Sequence, residues 1–204
     1  ARHLDQSAVR ATKPFDKVCG WAGVVAASLL LPEGKARRAM GEHSLEAALR
    51  DLVFPDGGVL SRAPQQLMEL SALLSTLREC YIARQEAGPD FVTDTLGRNV
   101  PALLGLTHAD GGLGAWQGCG HVASERIEAL VQASGVRARP LRQALDWGYQ
   151  RVSAGPAVLQ VDAGPEQHVH PCGETLPADR RPHPPRELGI PARCDGHRRR
   201  ERRG

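Results

Sequence analysis

Phe54-Pro55-Asp56-Gly57-Gly58-Val59-Leu60-Ser61-Arg62-Ala63-Pro64 and His108-Ala109-Asp110-Gly111-Gly112-Leu113 are the stretches that decide the fold of this 204-residue chain. Each contains Asp-Gly-Gly, the copies lie 54 residues apart, and apolar residues at helical spacing fill the interval. A period of roughly 40 to 55 residues, each unit holding two amphipathic helices and a glycine-punctuated turn, is the signature of a helical array or toroid.

Helical patterns flank both turns. Residues 18–31 form an apolar run closed by Pro32 and Gly34, which end a helix. Residues 35–52 follow, with Ala39, Leu45, Ala48, Leu49, Leu52 and Val53 on one predicted stripe. A third helix is expected to start near Pro64, where Leu67, Leu70, Leu74, Leu77 and Tyr81 recur at alternating steps of three and four, and to stop at Gly88-Pro89. A fourth starts near Asp90 and carries Phe91, Leu96, Val100, Leu103 and Leu104, with a kink or boundary expected at Pro101. Residues 113–120 are too rich in glycine for a helix. Residues 124–133 read as a short fifth helix, with Ser124 as N-cap and Ile127 and Leu130 buried.

After Pro140 the period shifts from helical to alternating. Residues 149–152 and 157–162 read as two strands around Gly155-Pro156. The predicted fold is therefore mainly α: a partial α/α toroid over residues 1–146, the first strands of a β-sandwich over 147–170, and a tail over 171–204. With 6 Pro and 9 Arg and few apolar residues, the tail cannot offset its ordering entropy and is expected to be disordered.

Charge follows the same division. Residues 1–170 carry 17 basic and 18 acidic side chains, so the net +3 of the whole chain comes from the tail. A neutral body gives no electrostatic reason to bind nucleic acid or a membrane surface. The apolar run at 18–31 is about 14 residues, whereas a spanning helix needs roughly 20, so no membrane span is expected. Five widely spread cysteines argue against a disulfide framework. Lacking an initiating Met, the chain reads as an internal piece of a longer protein.

Three segments resemble the bacterial heparinase II/III-like family, whose members join an α/α toroid to a β-sandwich and are associated with polysaccharide lyase activity. Residues 54–64 are similar to the family turn "PDGGH-x-x-R-[SN]-P". His108-Ala109-Asp110-Gly111-Gly112-Leu113 is similar to "HGDGGLA". Gly148-Tyr149-Gln150-Arg151 through Val161-Asp162-Ala163-Gly164 is similar to the strand pair that opens the sandwich. The resemblance covers residues 18–170. It implies a parent that eliminates across a uronic-acid linkage in an acidic polysaccharide, in the periplasm or cell envelope, without a cofactor.

The departures from the family pattern bear on catalysis. The helix around Trp21 lacks the family's Asn, and Gln65 and Gln66 stand where a Tyr is expected. His170 falls at the family's histidine position, but the alternating strand that should follow is replaced by Pro-Cys-Gly-Glu and arginine-rich segments, as an out-of-frame tail would give. The fragment itself is therefore expected to be inactive.

A uronate lyase must neutralise a carboxylate, remove the adjacent proton and protonate the leaving oxygen. His170 and Arg62 are the catalytic candidates, and Arg62, His108, Asp110 and Trp116 are the substrate-binding ones. Arg62 precedes a helix N-terminus, where anions are favoured; it can equally bond turn carbonyls. His108 and Asp110 either line the same face or satisfy their turn. Trp116 either stacks on a sugar or covers core. Tyr81 falls on the buried stripe, and Tyr149 at the domain junction.

Two other readings compete. One is a helical-repeat binding module without catalysis. The other assigns function to the tail, where His168, His170, Cys172, His183, Cys194 and His197 are metal-ligand types without the paired spacing of a zinc module, and arginines bind nucleic acid by charge alone. No metal site is assigned.

Overall fold

The computed structural model describes residues 2–31 and 34–164. It is mainly helical, with a small antiparallel sheet. The helices are α1 (Arg2–Arg10), α2 (Pro14–Leu30), α3 (Lys35–Leu52), α4 (Pro64–Ala83), α5 (Asp90–Gly105) and α6 (Ser124–Ser134). The strands are β1 (Gln143–Ala144), β2 (Tyr149–Ala154) and β3 (Ala157–Asp162), in the order β1-β2-β3.

α2 starts four residues earlier than its apolar run, because Lys13 is extended and Pro14 opens the helix with a pre-set φ. Asp16 in the first turn complements the exposed N–H groups, which an apolar pattern cannot reveal. α3 keeps its predicted bounds but shifts its stripe. Ala39 is exposed, and Gly41 is buried instead, packed closely against the Val24 and Val25 side chains. All five stripe residues of α4 are at most 2% exposed. Met68, Ser71 and Ser75 are buried beside them, and the two serines donate to the carbonyls of Leu67 and Ser71.

Pro101 does not end α5. Proline deprives the carbonyl of Gly97 of its usual donor, but Gly97 is exposed and water can serve it. The carbonyl of Pro101 accepts from the Leu141 amide at 2.9 Å and so ties the last loop to α5. Ser124 is the first helical residue of α6 rather than its cap, which is Ala123. Gly135 closes α6 at φ +67°. The short α1 lacks the apolar run that announces a helix; Ala8 seats it on Gly20, where an added Cβ would lie 2.8 Å away.

α2 packs on α1, α3 and α4, and α4 on α5 and α6, so α2, α4 and α6 follow one another in a layer. β2 and β3 form a hairpin in which Ala154 pairs with Ala157 across Gly155-Pro156. Trp147 and Tyr149 join the sheet to the single core. No helix among the described residues is long and apolar enough to cross a membrane.

Candidate functional site

The two Asp-Gly-Gly turns are the same structure built twice. In the first, Phe54 N donates to Gly58 O, Gly57 N to Phe54 O, and Leu60 N to Leu52 O. In the second, His108 N donates to Gly112 O, Gly111 N to His108 O, and Gly114 N to Leu106 O. Every donor and acceptor is displaced by 54 residues, as are the bridges Val53 to Val59 and Thr107 to Leu113. Asp56 and Asp110 each accept the amide two residues on, at 3.1 and 2.8 Å, and the intervening Gly57 and Gly111 hold φ +88° and +83°.

The first turn carries more load. The second oxygen of Asp56 accepts the amides of Asp146 and Trp147, both at 2.8 Å. Trp147, fully buried, then lies on Gly58, where an added Cβ would stand 2.0 Å from its ring. The second glycine therefore serves a contact about 90 residues away in sequence.

Arg62 sits just beyond, at φ +57° and 3% exposed. Its Nε donates to the Trp147 carbonyl at 2.9 Å, its guanidinium pairs with Asp162 and lies 5.1 Å from the Tyr149 ring centroid, and its own carbonyl accepts the Tyr149 hydroxyl at 2.9 Å. Asp162 also accepts from Gln117 at 2.9 Å. Tyr149 meets Trp147 edge-on at 4.9 Å and Trp116 at 5.9 Å. Burial, followed by the nearby Asp162 carboxylate, pushes the Tyr149 hydroxyl above its ordinary pKa. Such a tyrosine holds its proton at neutral pH and suits hydrogen-bond donation rather than base chemistry.

Of the residues singled out in the sequence, Arg62 and Trp116 thus come together, around Tyr149 and Asp162. Trp116 is half-buried, with its indole N–H 3.5 Å from the Gln160 side chain. His108 and Asp110 are exposed on the second turn. His170 and the tail ligands His168, Cys172, His183, Cys194 and His197 lie outside the described residues, as does the segment expected to be disordered. Among the described residues no three His, Cys, Asp or Glu side chains converge to hold a metal. Tyr81 is 1% exposed and donates to Glu42 at 2.6 Å, beside Arg38. The chain's single asparagine, Asn99, is fully buried on α5. With its amide turned to donate, it reaches the carbonyls of Thr95 and Gly57. The Gln65 side-chain amide donates to Glu69 at 3.0 Å.

Comparison with known proteins returns one similarity of note. FtsZ-localized protein C of Caulobacter vibrioides is 30% identical over 132 residues. The match takes in 61% of this chain but 23% of that protein, so the chain spans under a quarter of the relative's length. No family model matches, and no solved structure matches.

Trp147, Gln117 and the first turn's grip on residues 146 and 147 are absent from the sequence-based site. The signals available were Tyr149 and Asp162, both inside a quoted motif, the latter 100 residues from its partner Arg62.

Proposed function

We propose that this chain is a helical-repeat module that binds rather than cleaves, within a longer protein of heparinase II/III-like architecture. The observation that carries the reading is the engagement of Arg62. Its guanidinium is already committed to Asp162, the Trp147 carbonyl and the Tyr149 ring. Presenting it to a substrate carboxylate would mean dismantling the joint between helices and sheet. Breaking a buried ion pair costs about 3–5 kcal/mol, more than one new carboxylate contact returns.

Two features support the architecture. The succession α2, α4, α6 is what an arc of an α/α toroid requires. The outer face of the hairpin exposes Val152, Leu159 and Val161, as a sheet awaiting the second layer of a sandwich would. For partner and place, the reading draws on FtsZ-localized protein C: the module takes part in an assembly where FtsZ is found. A labelled copy should coincide with labelled FtsZ in cells, and purified FtsZ should retain the purified chain. Loss of both signals would remove the partner assignment.

The lyase reading is favoured by a different observation, the motif order from residue 54 to Gly164. In it the parent acts on an acidic polysaccharide in the periplasm or cell envelope, with Arg62, His108, Asp110, Trp116 and His170 at the substrate. It predicts release of an unsaturated uronate by this chain or by its full-length parent. Absence of that product from both would leave binding alone.

A further inference from the structure

Trp147 is 0% exposed, and all but one of its polar groups is engaged. Its amide donates to Asp56 at 2.8 Å, and its carbonyl accepts from Arg62 Nε at 2.9 Å. The indole N–H is buried without an acceptor. A buried tryptophan normally finds one for this group, because a stranded donor has given up its solvent and gained nothing in return.

The same residue borders a small cavity between the end of α5 and the segment that leads into the sheet. Ala102 and Gly105 of α5 wall one side, Leu141 and Ala144 another, and Tyr149 and Arg151 of β2 a third. About 10 Å³ is open there to the centre of a water molecule, which is about the room one water needs and too little for a larger ligand. Two lining residues bring carbonyls to the place. Gly105 O receives only a long contact from Arg151, at 3.4 Å. Leu141 O stands against Gly105, 2.8 Å from where a Cβ would be, so a side chain at position 105 would collide with it.

We propose that one ordered water occupies this cavity, accepting from the Trp147 indole N–H and donating to the carbonyls of Gly105 and Leu141. Three such bonds are what an internal water typically makes. The rival acceptor is the Tyr149 ring, which meets the indole edge-on at 4.9 Å. A ring face is the weaker partner for an N–H, and the Arg62 guanidinium already lies over this one. The water joins the end of α5 to Trp147 and so adds a third tie to those that Asp56 and Arg62 make from the first turn. The inference is independent of FtsZ and of the binding reading.

The test is transfer of magnetisation from water to the Trp147 indole proton in the whole, isotope-labelled chain, with the signals of the three tryptophans assigned. A held water gives cross peaks of opposite sign in laboratory-frame and rotating-frame Overhauser spectra, whereas proton exchange gives the same sign in both. Opposite signs are expected. They should persist in Tyr149→Phe, which keeps the ring and removes the hydroxyl that could relay the signal. A crystal of the unaltered chain, which needs no substitution, should show a solvent oxygen about 3 Å from Nε1. No cross peak, a cross peak lost with the Tyr149 hydroxyl, or a crystal without solvent density at Nε1 would overturn the proposal. An indole proton shifted strongly upfield with no cross peak would do so by assigning the N–H to the Tyr149 ring.

Discussion

Single residues at the helix–sheet joint carry loads that their types do not announce. Gly58 is conspicuous as half of a Gly-Gly pair, yet its reason is Trp147, which is visible only in three dimensions. Gly58→Ala must displace a fully buried indole, and a loss of about 2 kcal/mol or more in urea unfolding is expected. Arg62→Met should cost about 3 kcal/mol by leaving Asp162 without its cation; Arg62→Lys should recover only part, because a lysine cannot bond the Trp147 carbonyl and Asp162 in the same fork. If both variants unfold like wild type, the joint is not where stability resides. Tyr149 and Tyr81 add a pH dependence. Burial raises both hydroxyls, aided by Asp162 for one and Glu42 for the other. Above about pH 10 the unfolded chain loses these protons while the folded chain keeps them, so stability is full below that pH and falls as pH rises past it. Replacing both tyrosines with Phe should flatten the decline in urea midpoints measured across that range.

At the scale of elements, legibility tracked how local the cause was. α4 could be read directly, because a helix packed between neighbours writes its stripe at steps of three and four, and each of those leucines is buried. Leu74→Ala, at 0% exposure between its neighbours, should cost about 3 kcal/mol by the cavity it leaves. The hairpin was equally readable, since Gly155-Pro156 sets its turn and Val152 pairs with Leu159 as alternation demands. α1 and β1 were not. α1 is polar and held by packing on α2, where Ala8 closely approaches Gly20, and by the Asp5–Arg37 ion pair to α3; β1 is two residues long and pairs only with β2. Arg62, Trp116, His108 and Asp110 were legible as a set tied to the turns. Their division was not: the sheet that claims Arg62 and Trp116 arrives 85 or more residues after Arg62, and nothing near either residue in sequence foretells it.

For the whole molecule, the sheet and the helices should behave as one cooperative unit. Trp147 and Tyr149 belong to the same apolar cluster as Leu67 and Leu103, and the Asp56 carboxylate, the Arg62 guanidinium and the Pro101 carbonyl each tie a helix or turn to the segment after α6. A chain ending at Gly135 would retain the six described helices yet expose the underside of Gly58 and strip Arg62 of its Trp147, Tyr149 and Asp162 partners. Exposing an apolar seat and losing the bonds that tie the turn and Arg62 to the sheet both favour unfolding. The shortened chain should therefore melt broadly and at lower temperature by circular dichroism, although every described helix is still present. If instead it melts as sharply as the full chain, with only the signal of the sheet removed, the helical array stands alone and the joint at Arg62 is an attachment rather than part of the fold. The first outcome follows from two opposing quantities. Helices of 9 to 20 residues are marginal by themselves, whereas packing against neighbours supplies most of their stability, and here part of that packing comes from the sheet side.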